Sequence, residues 1–230
     1  MGNICIIPAR GGSKRIPRKN IKEFLGKPII IYSIKAALDS GLFDEVLVST
    51  DDTEIAEIAK KHGANVPFIR SAKNSDDFAT TFDVIKEVIN YYKEQSIEFD
   101  NLCCLYSCAP FVNSGVLLRA YNRLIEEKLD SVFPIILFSF PIQRALRVNQ
   151  GKVSMMLEDN LNIRSQDLEK SFHDAGQFYW CNTKQLLSSK KLITSNSGGI
   201  EVSELDAQDI DTDMDWNLAE LKYQLKYQLK

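Results

Sequence analysis

Hydrophobic and polar positions along this chain switch between two periods. Short apolar runs at Asn3–Ala9, Glu45–Thr50, Leu102–Tyr106 and Ser131–Phe138 are separated by longer stretches with apolar residues every three or four positions. A run that is apolar throughout suits a strand covered on both faces, and a 3.6-residue period suits a helix with one buried stripe. After the first run, Pro28 opens a helix with Ile30, Ile34, Ala37 and Leu38 on one face and Gly41 as its stop. After the second, Ile55, Ile58, Ala59 and His62 share a face that ends at Gly63. His62 there is a helix-terminal residue suited to the macrodipole, not a catalyst. Asn65–Ile69 reads as a short strand closed by Arg70, and Thr80 caps a helix with Asp83 three residues on. That helix turns Ile85, Val88, Ile89 and Tyr92 inward; the next, opened by Ser114, does so with Leu117, Ala120, Tyr121 and Leu124.

Strands alternating with helices of this length predict an α/β fold, Rossmann-like, with a mainly parallel sheet and helices on both faces in three layers. Without an internal repeat or low-complexity linker, residues 1–230 are expected to form a single domain. The rhythm changes at about 140–172. Ala145–Val148 and Lys152–Leu157 flank Asn149-Gln150-Gly151, which predicts a hairpin with a three-residue loop. An isolated hairpin is marginal in water, so its apolar face needs either the parent sheet or a second subunit. Further on, Gln177–Cys181 reads as a central strand preceded by Gly176, and Gly199–Val202 as another short one. A last helix follows Asp215, with Leu218, Leu221 and Leu225 expected inward.

Composition narrows the class. The chain is 44% hydrophobic and 26% charged, ordinary for a globular protein. A net charge of -3 and a pI near 5.5 argue against binding a nucleic-acid polymer. The cations Arg10, Lys14, Arg15, Arg18, Lys19 and Lys22 are therefore a local concentration, suited to a small anionic substrate. Five cysteines, an odd count set mostly in apolar runs, suggest reduced thiols in a cytoplasmic protein. Cys104 and Cys108 lack the partners of a zinc site. No apolar run reaches membrane-spanning length, and the first residues lack the basic and apolar regions of a signal peptide.

Two stretches carry candidate chemistry. Gly11-Gly12 follow the first strand directly, where α/β sheets bind ligands, and Lys and Arg beside the turn suit phosphate. The spacing is neither Gly-x-x-x-x-Gly-Lys-Ser/Thr nor Gly-x-Gly-x-x-Gly, so the two commonest nucleotide loops are excluded. At the other end of the chain lies Asp209-Ile210-Asp211. Alternate residues of an extended segment face one side, so the two carboxylates converge, and hard oxygens suit Mg²⁺. Helix capping competes for these acids. Thr212 and Asp215 fit a capping box and Asp213 the first-turn field, which leaves Asp209 and Asp211 for metal.

Ala9-Arg10-x-x-Ser13-Lys14 with Lys19-Asn20 resembles the first motif of the CMP-sialic acid synthetase family, cytidylyltransferases that act on nine-carbon acidic sugars. Arg70-Ser71-Ala72-x-x-Ser75-Asp76 resembles the family's Arg-Pro-Ala-Glu-Leu-x-x-Asp, with Ser71 in place of the proline. The Asp-x-Asp at Asp209 and Asp211 also has its counterpart there. The resemblance implies that Ala9, Arg10, Gly11, Ser13, Lys14, Lys19, Asn20, Arg70, Ser75 and Thr80 contact CTP. It further implies that Asp209 and Asp211 hold Mg²⁺, with Arg10, Lys14 and Asp211 catalytic, and that the excursion at 140–172 makes a homodimer.

On the sugar side the chain departs from sialic acid relatives. Their Gln-Pro-Thr-Ser-Pro-Leu-Arg becomes Tyr106-Ser107-Cys108-Ala109-Pro110-Phe111-Val112, and their Arg-Pro-Asn-Gly becomes His173-Asp174-Ala175-Gly176. A hydrogen-bonding pocket rejects an analogue that lacks its polar group, so a substrate with fewer hydroxyls is expected. Phe138–Arg144, Arg164–Asp167 and His173–Trp180 are similar to the branch of the family that acts on pseudaminic acid, a deoxygenated relative. The resemblance covers Ile4 to Asp215. It implies sugar contacts from Tyr106, Ser107, Arg144, Arg164, His173, Gln177 and Tyr179, the arginines offering bidentate partners to the sugar carboxylate. Related acids (legionaminic, N-acetylneuraminic, Kdo) remain alternatives. So do a nucleotide-sugar glycosyltransferase, which normally carries Asp-x-Asp mid-chain, and a nucleotide-binding protein without turnover.

Overall fold

In a computed structural model describing residues 2–227, the first apolar run is strand β1, Asn3–Pro8, at the heart of a seven-stranded sheet. The chain then passes through β2 (Glu23–Phe24), β3 (Lys27–Pro28), α1 (Ile30–Ser40), β4 (Glu45–Ser49), α2 (Thr53–Lys61), α3 (Thr81–Glu94), β5 (Asn101–Leu105), α4 (Ser114–Glu126) and β6 (Ser131–Leu137). Next come β7 (Leu146–Asn149), β8 (Lys152–Met155), β9 (Phe172–Asp174), β10 (Phe178–Asn182), α5 (Thr183–Ser189), β11 (Ser197–Glu201) and α6 (Asp213–Tyr227). The sheet order is β11-β6-β10-β5-β1-β4, with β9 also on β6. Strands β4, β1, β5, β6 and β11 run one way, as expected of a mainly parallel sheet.

Strand β10 runs antiparallel between β5 and β6, and β9 is antiparallel to β6. The excursion leaves from the C-terminal end of β6 and returns at the same end, so the next strand has to run downward. Between β9 and β10 the register against β6 slips at Ala175, Gly176 and Gln177. Gly176 takes φ 64° there, in the left-handed region that favours glycine. Such a bulge re-aims the chain beside a functional cleft.

Strand residues feed two cores by turns. Cys5, Ile7, Cys103, Leu105, Phe178 and Trp180 pack against α1, α2 and α4, while Ile4, Ile6, Leu102, Cys104, Tyr179 and Cys181 pack against α3 and α5. The alternation follows from the two-residue period of a strand. Caps fix the helix starts. Thr80 and Asp83 form the expected capping box, and Asn113, one residue before Ser114, accepts from the Val116 N–H at 3.1 Å. His62 closes α2 with Nδ1 2.8 Å from the Ile58 carbonyl oxygen.

Several expectations are corrected. Asn65–Ile69 is not a strand: Asn65 alone bridges Leu47, and Pro67, which has no N–H, cannot extend the ladder. Helix α1 begins at Ile30, because Pro28 is spent in the small β2–β3 hairpin, and Leu38 is exposed. The excursion hairpin has a two-residue loop, Gln150-Gly151, both at positive φ, with Asn149 paired to Lys152. Leu218, Leu221 and Leu225 face outward. Trp216 and Ala219 are the buried residues of α6, and Tyr223 packs beside them on Phe24. Two aromatic rings bury more area than the leucines, and they set the helix phase.

The hairpin's apolar face is not covered by the parent sheet: Leu146, Val148 and Val153 are exposed, as is Phe140 at 83%. At the centre, by contrast, Trp180 is fully buried and stacks on Phe43 at 4.8 Å. Replacing Trp180 by alanine removes that contact and leaves a cavity, so urea denaturation should show a loss of about 3–5 kcal/mol. A loss under about 1 kcal/mol would contradict this account of the core.

Candidate active site

A cleft of about 530 Å³ opens where the loops after β1 and β5, the segment after Arg70 and the stretch at Asp209-Ile210 meet. The loop after β1 lines it through Arg10, Ser13, Lys14, Arg15, Lys19 and Asn20, while Gly11 is not among the lining residues. The Gly11 N–H donates to Asp51 Oδ1 at 2.9 Å, and a Cβ on Gly11 would lie 2.6 Å from Asp52 Oδ2. Asp52 cannot easily retreat, because it caps α2 through the Ile55 N–H at 3.0 Å and is paired with Arg18. The Arg18 hydrogen bond holds the Asp52 carboxyl below its ordinary range. Close approach therefore requires glycine at Gly11; Gly12 has nothing within 4 Å and is under no such demand.

Asn20 ties this loop to β5. Its amide donates to the Arg10 carbonyl at 2.8 Å and its oxygen accepts from Ser107 Oγ at 2.8 Å and Cys108 Sγ at 3.4 Å. It is buried, and a buried amide satisfied on both ends rigidifies its surroundings. Burial pushes the Cys108 thiol up to about 11, so it stays protonated and donates. Ala9 is core-facing rather than cleft-lining.

The loop's cations each meet a carboxylate. Arg10 and Lys14 pair with Asp77, Arg10 at 2.9 Å; Arg15 and Lys19 pair with Asp211 at 2.7 and 3.5 Å. Arg18 reaches Asp52 and Glu54, and Lys22 reaches Asp213 at 3.1 Å. Lys19 also donates to the Ile210 carbonyl at 2.6 Å, which anchors the Asp-x-Asp segment against the loop. Ser13 lines the cleft beside these side chains.

Asp209 lines the cleft, and partial desolvation together with the charge of Asp211 pushes its carboxyl above the ordinary range. A carboxylate raised by desolvation and a like neighbour is stabilised by an added cation. No group of three His, Cys, Asp or Glu gathers among the described residues. Asp209 lines the cleft, whereas Asp211 is not among its lining residues and is paired with Arg15 and Lys19; hard carboxylate oxygens of this kind suit a divalent cation. Asp215 keeps the capping role, accepting from the Thr212 N–H at 2.8 Å.

Arg70 is 5% exposed and holds the carbonyl and the hydroxyl of Ser49, the latter at 3.1 Å. Burial lowers its pKa from the ordinary value, yet it lines the cleft as a fixed cation. Thr80 lines the cleft too, although its hydroxyl is engaged by Asp83 at 2.6 Å. Ser75 is not among the cleft-lining residues; its hydroxyl donates to the Ser71 carbonyl at 2.8 Å.

The residues assigned to the sugar divide. Tyr106 and Ser107 line the cleft, and burial pushes the Tyr106 hydroxyl up to about 12. Tyr179 packs edge-on against Tyr106 at 6.0 Å and donates to Asp174; burial, then that hydrogen bond, raises its pKa far above the ordinary value. His173 lies on β9 against Phe138, ring centroids 4.9 Å apart, and Gln177 donates to the Asp206 carbonyl at 2.8 Å beside a second cavity. Arg144 and Arg164 stay within the excursion, Arg144 on the Ile163 carbonyl at 2.9 Å and Arg164 on Asp167 at 2.7 Å. None of these five is a cleft-lining residue within one protomer. Sequence reasoning missed Arg15, Asn74 and Asp77 as lining groups. Arg15 was visible among the loop's cations, and Asp77 stands seven residues after Arg70, the place of the aspartate in Arg-Pro-Ala-Glu-Leu-x-x-Asp.

Residues 4–194 match the family model described as cytidylyltransferase. The chain is 44% identical over 229 residues to a pseudaminic acid cytidylyltransferase of Campylobacter jejuni subsp. jejuni serotype O:2, covering 99% of each. It is 32% identical to a CMP-N,N'-diacetyllegionaminic acid synthase of Legionella pneumophila, covering 94% of each. Its fold matches a solved CMP:2-keto-3-deoxy-manno-octonic acid synthetase complexed with CTP, with a TM-score of 0.71, 19% identity and both chains covered in full. The chain is a nucleotidyltransferase and belongs to the cytidylyltransferase family.

Proposed function

We propose that this chain activates a nine-carbon acidic sugar: CTP and pseudaminic acid give CMP-pseudaminic acid and diphosphate. The observation that carries the nucleotide half is the convergence of Arg10, Ser13, Lys14, Asn20, Arg70 and Asp209 on one cleft from three separate stretches of chain. The 44% identity over 99% of the chain supports the choice of sugar. In the reaction the anomeric hydroxyl forms a bond to the α-phosphorus of CTP while the bond from that phosphorus to the diphosphate oxygen breaks. Arg10, Ser13 and Lys14 hold the phosphates and stabilise charge on the departing diphosphate. Asn20 and Arg70 fix the nucleotide, Asn20 by keeping the loop on β5 and Arg70 as a buried cation anchored on Ser49. Orientation of this kind is what converts binding energy into rate.

Asp209 and Asp211 would hold Mg²⁺, which supplies charge neutralisation and polarisation of the phosphoryl group when bound. Arg15 and Lys19 pair with Asp211 and hold that carboxylate in place. Tyr106 and Ser107 face the acceptor sugar, with Tyr179 behind Tyr106. Arg144, Arg164 and His173 reach a sugar only from a second protomer or after movement of the excursion. The exposed Leu146, Val148 and Val153 support a homodimer built on that excursion. Five free cysteines, four of them buried, fit a cytoplasmic setting, and no helix among the described residues is long and apolar enough to cross a membrane.

Diphosphate release from each of the four ribonucleoside triphosphates with pseudaminic acid tests the nucleotide side. Release with CTP well above the others is expected; equal release from all four would overturn it. Chelating divalent metal should abolish release, and Mg²⁺ should restore it; turnover that survives chelation removes the metal. Asp211→Ala should lose Mg²⁺-dependent turnover with an unchanged melting temperature, and near-normal activity would return Asp211 to a purely ionic role. Lys14→Ala should lower kcat on the order of 10²–10³-fold, more than it weakens cytidine binding. An unaffected kcat would reduce Lys14 to a solvated charge.

A further inference from the structure

Two of the phosphate-site cations are already occupied by an anion of the protein's own. Asp77 Oδ1 accepts from Arg10 at 2.9 Å, Lys14 meets Oδ2, and Arg10 also donates to the Asp76 carbonyl at 3.0 Å. A carboxylate left among these groups would repel a triphosphate by simple Coulomb repulsion. It therefore has to leave when the nucleotide enters.

Its surroundings suit such an exchange. The backbone is held on both sides: Asp76 Oδ1 accepts from the Phe78 and Ala79 N–H groups at 2.9 and 2.8 Å, and the Thr80–Asp83 capping box follows. The Asp77 side chain itself is 44% exposed, and its partners Arg10 and Lys14 are 36% and 76% exposed. Exposed ion pairs are weak and exchange readily. Arg18 with Asp52 is a different case, since Asp52 also caps α2 and is only 20% exposed. No packing holds the tip in place, for Phe78 is 90% exposed.

We propose that Asp77 is a positioning residue that stands in for the substrate's phosphates between turnovers. It keeps Arg10 and Lys14 aimed into the cleft, gives way to CTP, and returns to displace diphosphate. A tethered competitor acts at a high effective concentration without any new contact. The inference rests on reading the cleft as the CTP site.

Asp77→Asn tests it, because asparagine keeps the shape and removes the charge. By calorimetry at low salt, both CTP and inorganic diphosphate should bind the variant on the order of three- to tenfold more tightly, since each exposed pair is individually weak. Diphosphate should likewise become a stronger product inhibitor, and kcat should not rise. In a Lys14→Ala background the gain should shrink, because one of the two shared partners is gone. A purely structural role would lower the melting temperature and leave these constants together. Equal affinities in the two proteins, or weaker binding by the variant, would overturn the stand-in while leaving the cytidylyltransferase reading intact. Absence of CTP binding in both would remove the nucleotide site on which it rests.

Discussion

Like-charge repulsion in the loop after β1 is the constraint around which the site is built. Arg10, Lys14, Arg15, Arg18, Lys19 and Lys22 repel one another within one short segment, and the fold brings counter-charge to it from three directions. Asp52 and Glu54 come from the start of α2, Asp77 from the segment after Arg70, and Asp211 and Asp213 from the start of α6. The same pairs therefore shape the loop and draw the distant Asp-x-Asp to it. Asn20 supplies the neutral tie, linking the loop's backbone to Ser107 at the end of β5. The result is a cleft lined by cations and acids together, where the proposed reading puts phosphates and metal.

Much of this was legible in the sequence, because local rules and the tertiary outcome agree. Apolar runs became strands, Thr80 and Asp83 became a capping box, and Gly41 took the left-handed cap at φ 63°. The site's two halves were readable because each has a local signature: glycines with cations after a strand, and alternate aspartates before a helix. Where the sequence misled, two local solutions were equally good. In α6 an apolar stripe through Leu218, Leu221 and Leu225 lies opposite Trp216, Ala219 and Tyr223, and only the packing against Phe24 and Ile210 decides between them. The reversal of β10 was invisible for another reason. Strand direction is set by where the excursion returns, which no residue pattern in Phe178–Asn182 encodes.

The sugar side shows the limit of residue-by-residue transfer. Tyr106 and Ser107 sit at the cleft, but Arg144 and Arg164 are committed to partners inside the excursion. The excursion also carries the exposed apolar face formed by Leu146, Val148 and Val153. Both facts fit a pocket completed by a second copy, in which the excursion's apolar surface is buried and its cations are brought to another protomer's cleft. Specificity would then depend on assembly, whereas the cations that line the cleft all come from one chain.

Identification of the product bears most directly on the central claim. Incubation of the protein with CTP, Mg²⁺ and either pseudaminic or N-acetylneuraminic acid, followed by mass and ³¹P spectra, distinguishes the outcomes. The account predicts a CMP ester of pseudaminic acid together with free diphosphate, formed with a higher kcat/KM than the N-acetylneuraminate product. A CMP ester formed with N-acetylneuraminic acid alone, or none with either acid, would contradict it.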